Sequence, residues 1–465
     1  MTMWLPDLKE RTGHRYLAIA DAIAEDIADG QLSPGDRLPP QRDLSHRLGV
    51  TVGTVTRAYA EAQRRGLLAG EVGRGTFVRT ADSNTREFRL DEGESPTNVI
   101  DLRLAFPPIG QAEQHLASTL RDIADGGNLS RLLTYNDGLG LPEHRATVAQ
   151  WCERAGANAK PEQVAICNGT QHAVSVVLMG VTRPGDTVVT EALTFPLFKV
   201  LADKLGLRLQ AAAMDEEGLL PDDLDRLCRA HQPTALYCMS TFHNPTTSTM
   251  STERRRAVVA VARRHGLPII EDDIYNPIQS ASLPPLASLA PELVYFIDSA
   301  SKGMASGLRI GFVLAPPGRI DPLRQALNAS TWMAAPLTAE IAVRWIQDGT
   351  ARRLIRWQRE EAQARQRIVN DILGAAARPQ WGAGFHSWLH LPEGWDAVSF
   401  VAEAERRGVR ILPADTFAVV GRQPVPAAVR IGNGAARSRD QLAQACTILA
   451  TMLLGRSSES TISVI

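Results

Sequence analysis

Near its start the chain carries three short segments in which apolar residues recur every three or four positions. They span residues 14–29, 40–48 and 51–65, and a glycine follows each of them. In the third segment Thr51 can cap a helix. Its predicted buried stripe consists of Val52, Val55, Tyr59 and Ala62. The pattern predicts three helices, the last two joined at a glycine.

A two-stranded wing is predicted directly after these helices. Residues 67–72 and 76–78 have strand character, and the tip between them contains Gly73, Arg74 and Gly75. Three helices followed by a wing form a winged helix-turn-helix, which is mainly α. We expect this domain to occupy residues 1–79.

A different pattern begins at about residue 99, after a polar, acidic segment at 80–98 that is predicted to be a linker. Short apolar runs then alternate with helical stretches. The runs are residues 164–167, 187–190, 235–239, 268–270, 294–297 and 309–314. Buried runs separated by helices predict an α/β domain with a mostly parallel sheet.

This second domain is expected to extend to residue 455. It divides into a large part, about 99–320, and a small α+β part, about 321–455, and residues 456–465 are predicted to be a tail. The small part contains a long amphipathic helix at 351–373. The chain is therefore predicted to be a multi-domain protein.

Composition adds a candidate DNA-binding surface. The 465 residues carry a net charge of −1, but residues 37–79 contain eight arginines against three acidic residues. A basic stretch in a neutral chain favours a small surface for nucleic acid. The candidate DNA contacts are Arg42, Thr51, Thr54, Arg57 and, in the wing, Arg74.

The five cysteines show no close spacing typical of a metal site, so no metal is predicted. They are expected to be buried thiols in a reducing compartment. No apolar run has the length of a signal peptide or a membrane span. We therefore expect a cytoplasmic protein that does not enter a membrane.

Lys302 is one of only five lysines beside 45 arginines, and it is predicted to lie in a serine-rich turn beyond a strand. A lysine amine can form a Schiff base with an aldehyde. Asp272 ends a predicted strand, and Gly169, Thr170 and Gln171 open a predicted helix whose N-terminus can hold a phosphate. An amine, a buried acid and a phosphate cup are what pyridoxal phosphate (PLP) requires.

Two resemblances sharpen these predictions. Residues 14–79 resemble the GntR family of bacterial winged-helix regulators, through residues 35–44, 48–59 and the wing at 73–78. Many members of that family carry an arginine where this chain has Val52. The resemblance implies binding to double-stranded DNA.

Residues 99–455 resemble fold type I of the PLP-dependent enzymes, the aspartate aminotransferase superfamily. The resemblance implies that Asp272 pairs with the ring nitrogen, that Tyr275 and Asn244 bond the ring hydroxyl, and that Phe195 stacks on the ring. It also implies that Ser299, Ser301 and Arg309 join residues 169–171 on the phosphate. Tyr135 would reach the phosphate of a partner subunit, and Arg430 would grip a ligand α-carboxylate.

The combination of both domains resembles the MocR-type subfamily of GntR regulators. What it implies is a homodimeric, PLP-dependent transcriptional regulator that senses PLP, or an amino compound as external aldimine. Three alternatives stay open at this point. One is an active aminotransferase with an added DNA-binding head, and another is a sensor of PLP alone in which Arg430 is idle. The third is an inactive aminotransferase fold used only for dimerisation, which predicts a colourless purified protein.

Overall fold

The structure is a computed structural model. It describes residues 4–6, 8, 14–28, 31–33, 35–65, 67–71, 75–78, 99–154, 156–279, 283–374, 382, 384–421 and 423–457. The predicted linker, the wing residue Arg74 and residues 458–465 of the predicted tail lie outside these ranges.

The N-terminal head contains the three predicted helices and the two-stranded wing. Its elements are α1 Arg15–Ala28, α2 Gln41–Leu48, α3 Val52–Arg64, β1 Leu68–Glu71 and β2 Gly75–Val78. The strands β1 and β2 are antiparallel. Gly49 ends α2 at φ 64°, and the Thr51 hydroxyl accepts a hydrogen bond from the Thr54 amide at 3.1 Å, which caps α3.

One prediction for the head is wrong. Val52 is 43% exposed, whereas Val55, Tyr59 and Ala62 are buried together with Ala58, which was not predicted. Val52 lies in the first turn of α3, and a three-residue step places it about 60° from Val55 around the helix. An apolar side chain is therefore exposed at the start of the helix predicted to read DNA.

The C-terminal body contains the remaining elements. Its helices are α4 Ala112–Asp125, α5 Ser130–Leu133, α6 Pro142–Arg154, α7 Thr170–Val181, α8 Pro196–Lys204, α9 Pro221–His231, α10 Thr252–His265, α11 Leu286–Leu289, α12 Ala300–Gly303, α13 Ile320–Ser330, α14 Pro336–Gln347, α15 Thr350–Leu373, α16 Ala397–Arg406 and α17 Arg439–Ser457. Its strands are β3 Ile100–Asp101, β4 Val164–Cys167, β5 Thr187–Glu191, β6 Arg208–Ala212, β7 Met214–Asp215, β8 Gly218–Leu219, β9 Ala235–Cys238, β10 Ile269–Asp272, β11 Val294–Ser299, β12 Gly311–Leu314, β13 Ser387–His390, β14 Val409–Arg410, β15 Leu412–Pro413 and β16 Ala428–Ile431.

In the part of the chain that the structure describes, seven strands form the central sheet, in the order β4-β12-β11-β10-β9-β5-β6. Only β12 is antiparallel to its neighbours, so the predicted mostly parallel α/β sheet is confirmed. All six predicted runs contain a strand, and the ends agree for β4 and are shifted for the other five. The edge strand β6 was missed because its residues are mostly half-buried and no apolar run marks it.

The small C-terminal part has its own antiparallel sheet, β13-β16-β15. Strand β3 pairs in parallel with β14, with Ile100 opposite Val409 and Asp101 opposite Arg410. Residues that directly follow the predicted linker are therefore bound to the small part of the body.

All five cysteines are buried and unpaired. Burial raises the pKa of every one of these thiols, to about 11 for Cys228 and about 12 for Cys446. Within the described ranges, no helix is long and apolar enough to cross a membrane. The same ranges contain no cluster of His, Cys, Asp or Glu that could hold a metal ion.

Candidate cofactor and ligand site

A cavity of about 500 Å³ lies at the carboxyl ends of the central strands. This is the edge at which α/β sheets bind ligands. The lining includes nine residues that the sequence pointed to: Thr170, Gln171, Phe195, Asn244, Asp272, Tyr275, Ser301, Lys302 and Arg309. These side chains come from six separate segments of the chain.

Lys302 lies in the short helix α12, directly after β11, rather than in a turn as predicted. Its Nζ donates a hydrogen bond to the carbonyl oxygen of Ala105 at 2.6 Å. Burial, and then the positive charges of Arg430 and Arg309, lower the pKa of Lys302 to about 8. Near neutral pH a useful fraction of this amine is therefore unprotonated, the form that attacks an aldehyde.

Asp272 is the last residue of β10 and is almost fully buried. Its Oδ2 accepts a hydrogen bond from the Tyr237 hydroxyl at 2.9 Å. Its Oδ1 has no hydrogen-bond partner among the described residues. Burial raises the pKa of Asp272 to about 6. One carboxylate oxygen therefore remains available to a donor in the cavity.

The residues predicted to hold the phosphate lie together at the start of α7. Gly169 adopts φ 85° and precedes α7, so that Thr170 and Gln171 form the first turn of that helix. Arg309 adopts φ 52°, and its guanidinium lies so close to Gly169 that a Cβ there would overlap it. A helix N-terminus beside an arginine binds anions.

These features meet the three requirements of PLP. Lys302 supplies the amine, Asp272 an unsatisfied acceptor, and Arg309 with the start of α7 an anion cup. Phe195, at the N-terminus of α8, and Tyr275 also line the cavity. The residues present fit the group.

Arg430 is buried, 1% exposed, and lies behind Asn244 rather than in the cavity lining. Its Nη1 donates to Asn244 Oδ1 at 2.8 Å, and its Nη2 donates to the Arg103 carbonyl at 2.5 Å. Its guanidinium is 4.7 Å from the centroid of the Phe417 ring. Burial lowers the pKa of Arg430 to about 10. To bind a carboxylate this arginine has to exchange hydrogen bonds that it already makes.

In the head, the candidate DNA contacts lie at the start of α3 and on α2. Arg42, Thr51 and Arg57 are exposed, and Thr54 is half-buried. The two threonine hydroxyls are 2.9 Å apart, and the Arg57 guanidinium lies 4.7 Å from the centroid of the Tyr16 ring.

Comparison with known proteins covers both parts of the chain. Residues 97–449 match the family model of aminotransferase class I and II, and residues 15–78 match that of the bacterial regulatory proteins of the gntR family. The uncharacterized HTH-type transcriptional regulator YdeF of Bacillus subtilis is 31% identical over 451 residues, which cover 97% of this chain and 96% of YdeF.

This chain is a MocR-type member of the GntR regulators. It joins a GntR helix-turn-helix domain to a fold type I aminotransferase domain, and its cofactor is PLP. The HTH-type pyridoxine biosynthesis transcriptional regulator PdxR of Corynebacterium glutamicum is 25% identical over 399 residues, 84% of this chain and 86% of PdxR. The structure of LysN, α-aminoadipate aminotransferase from Thermus thermophilus complexed with N-(5'-phosphopyridoxyl)-L-leucine, aligns with a TM-score of 0.67 and 25% identity, and covers 78% of this chain and 94% of LysN.

Besides Gly169 and Arg430, two residues predicted for the site of this MocR-type regulator, Ser299 and Tyr135, lie outside the cavity lining. The Ser299 hydroxyl accepts a hydrogen bond from the Ser301 amide at 3.2 Å and so caps α12. Tyr135 is 80% exposed, and its ring lies 5.6 Å from that of Trp332.

Sequence reasoning missed several residues of the MocR-type site. Tyr237 holds Asp272, and the hydroxyl of Tyr275 lies 3.4 Å from His386 Nδ1. Ala105 contacts Lys302 through a backbone carbonyl, which has no sequence signal. For Tyr237 a signal existed, because a tyrosine in a buried strand near the predicted acid needs a partner for its hydroxyl.

Proposed function

We propose that this protein regulates transcription through the ligand state of its PLP site, which alters how the head engages double-stranded DNA. The observation that carries this proposal is the path of residues 99–108, which we name the strap. The strap begins where the predicted linker ends, and it contacts the two side chains that a ligand would engage.

Hydrogen bonds hold the strap at its start and again near the cavity. The amides of Ile100 and Leu102 donate to the carbonyls of Gly408 and Arg410, each at 2.8 Å, which ties its start to the small part of the body. Farther along, the Ala105 carbonyl accepts from Lys302 and the Arg103 carbonyl accepts from Arg430. Phe106 then lines the cavity. A ligand that engages Lys302 or Arg430 therefore competes with bonds that position the strap.

The side chains that line the cavity bind and orient PLP in this proposal. PLP supplies an aldehyde that joins covalently to amines and draws electrons from them. Lys302 would hold this aldehyde, Asp272 would accept a hydrogen bond from the ring, and Arg309 with Thr170 and Gln171 would hold the phosphate. The lowered pKa of Lys302 keeps the lysine exchangeable with an amine ligand.

We propose an amino compound that carries a carboxylate as the effector. Arg430 lies beside Asn244 and, although bonded, presents a buried guanidinium with an unpartnered Nε among the described residues. A guanidinium that exchanges its bonds for a carboxylate gains a bidentate partner. The effector can shift the DNA-binding equilibrium only by the difference between its affinities for the two conformations of the protein. The resulting change in DNA affinity is typically about 5- to 150-fold.

A homodimer is part of this proposal. Leu133 is 83% exposed, Tyr135 80% and Trp332 52%, and Tyr135 and Trp332 are in contact. A second copy of this chain would cover these apolar side chains and bring Tyr135 towards the phosphate of the partner subunit. Two heads on one dimer would then bind paired DNA sites. We place this regulator in the cytoplasm, where its DNA would be.

For the head we propose Arg42, Thr51, Thr54, Arg57 and Arg74 as the DNA contacts. The first four lie on α2 and at the start of α3, the part of a recognition helix that enters the major groove. The proposed division of the chain remains residues 1–79 for the head, 80–98 for the linker and 99–455 for the body.

The test is to titrate the purified protein with a panel of amino acids and simple amines, to record its visible spectrum, and to measure DNA affinity and footprint. We expect that one ligand shifts the absorption band, that the band then stays shifted, and that the same ligand changes the DNA footprint. If the band converts to the pyridoxamine form and a keto acid restores it, the body is a working aminotransferase. If saturating PLP and amines leave affinity and footprint unchanged, the proposal is wrong.

Arg430→Ala separates an amino acid sensor from a sensor of PLP alone. A sensor of PLP alone keeps its response to PLP, whereas an amino acid responder loses its ligand. Arg407→Ala is the matched control, because this arginine lies in the same part of the body but is half exposed and pairs with Glu403 on the surface.

A further inference from the structure

Tyr237 lies beneath the site on the strand next to Asp272. On β9 it is paired with Ile270 of β10, two residues before Asp272. Residues two positions apart on a strand share a face of the sheet, so Tyr237 and Asp272 project to the same side. The result is the 2.9 Å hydrogen bond from the Tyr237 hydroxyl to Asp272 Oδ2.

The tyrosine ring is held in place. It is fully buried and stacks on Phe198 of α8, with the ring centroids 3.9 Å apart and the planes 11° apart. Phe198 and Tyr237 both line the cavity. The hydroxyl therefore has a fixed position from which to orient the carboxylate.

The hydrogen bond from Tyr237 affects the protonation of Asp272, and other titratable groups lie around this carboxyl. The titratable groups that act on it are Lys302 on α12 and Tyr237 on β9, and Asp272 in turn acts on Tyr275, Glu191 and Asp298. Burial raises the pKa of Asp272, and the hydrogen bond from Tyr237 opposes that rise by stabilising the ionised form.

We propose that Tyr237 is the positioning residue of the PLP site: its hydroxyl holds Oδ2 of Asp272 so that Oδ1 is presented to the ring nitrogen of the cofactor. Oδ1, which lacks a partner among the described residues, is the oxygen that this arrangement leaves for the ligand. The inference rests on the proposed place of Asp272 beneath the ring.

The test variant is Tyr237→Phe, which keeps the ring stacked on Phe198 and removes only the hydroxyl. The affinity of the apoprotein for PLP is measured by equilibrium dialysis as a function of pH. We expect affinity near neutral pH to fall about tenfold. We also expect the pH at which affinity is lost on acidification to move upward, because Asp272 then takes up its proton more readily. A role in packing alone would not move this midpoint.

Tyr295→Phe is the matched control. Tyr295 is buried on β11 and is paired with the same Ile270 from the other side, but it does not line the cavity. It should leave both the affinity and the pH midpoint unchanged. An equal loss in this variant would overturn the inference.

A double-mutant cycle with Asp272→Asn decides whether Tyr237 acts through Asp272. We expect Tyr237→Phe to have no further effect in the Asp272→Asn background. An undiminished effect there, or an unchanged midpoint in the single variant, overturns the inference and leaves the proposed function standing. If Asp272→Asn by itself binds PLP normally, the proposed place of Asp272 fails and this inference fails with it.

Discussion

The head and the body of this regulator present their candidate functional side chains in opposite ways. In the head, Arg42 and Thr51 are exposed. In the body, Asp272 and Arg430 are buried and bonded to other residues of the site. Separate exposed contacts contribute nearly additively, whereas buried, mutually bonded groups do not. The comparison predicts graded effects of substitutions in the head and all-or-none effects in the body.

The largest effect is expected for Lys302→Ala. Because no other amine lies in the cavity lining of the described residues, the purified protein should lose its visible absorption band completely. The comparison predicts that DNA binding by the head survives this change. Lys204→Ala, at an exposed position at the end of α8, is the control and should keep the band.

The second effect is the pH dependence of PLP attachment. Because the pKa of Lys302 lies near 8, the unprotonated amine grows about tenfold per pH unit below 8 and then levels off. The initial rate of band formation at fixed PLP should follow this course in stopped-flow measurements. A rate that still rises steeply above pH 9 would show that the lysine titrates like an exposed one.

A smaller effect is expected for Gly432→Ala, which should weaken the coupling between the ligand site in the body and DNA binding by the head. A Cβ at this position would overlap the Leu104 carbonyl of the strap, so the strap has to move. We expect the absorption band to remain and the effector-induced change in DNA affinity to fall by about tenfold, within the usual range of coupling. DNA affinity is measured with and without effector, and an unaltered ratio would exclude the strap from the coupling route.

The smallest effect is expected in the head. Arg42→Ala removes one exposed cation from α2, so DNA affinity should fall only a few-fold and the slope of log affinity against log salt should decrease by about one. The visible spectrum should not change. A loss of more than about 100-fold would mean that the head, like the body, works as a connected unit.

The sequence was sufficient to identify the candidate lysine, acid and arginine of the cofactor site and the strands next to them. Lys302 follows a recognisable strand, Asp272 ends one and Arg309 lies just before one, and all three line the same cavity. Val52 was assigned to the core because its spacing from Val55 fits a helical stripe, but in the first turn of α3 it lies to the side of the buried face.

Contacts between distant segments could not be predicted. The bond from Lys302 to Ala105 spans 197 positions and ends on a backbone carbonyl. Arg430 was singled out, but its place behind Asn244 depends on the meeting of β16 with the loop after β9, which no local pattern encodes. Such contacts follow from the packing of the sheet.

The buried cysteines make this protein convenient for distance measurements by spectroscopy. Thiol-reactive dyes are attacked by the thiolate form of cysteine, and all five native thiols are buried and have raised pKa values. One cysteine introduced on the surface of the head and one on the body would therefore be labelled selectively, without removal of the native residues. Energy transfer between the two dyes would then report the separation of head and body as each ligand is added.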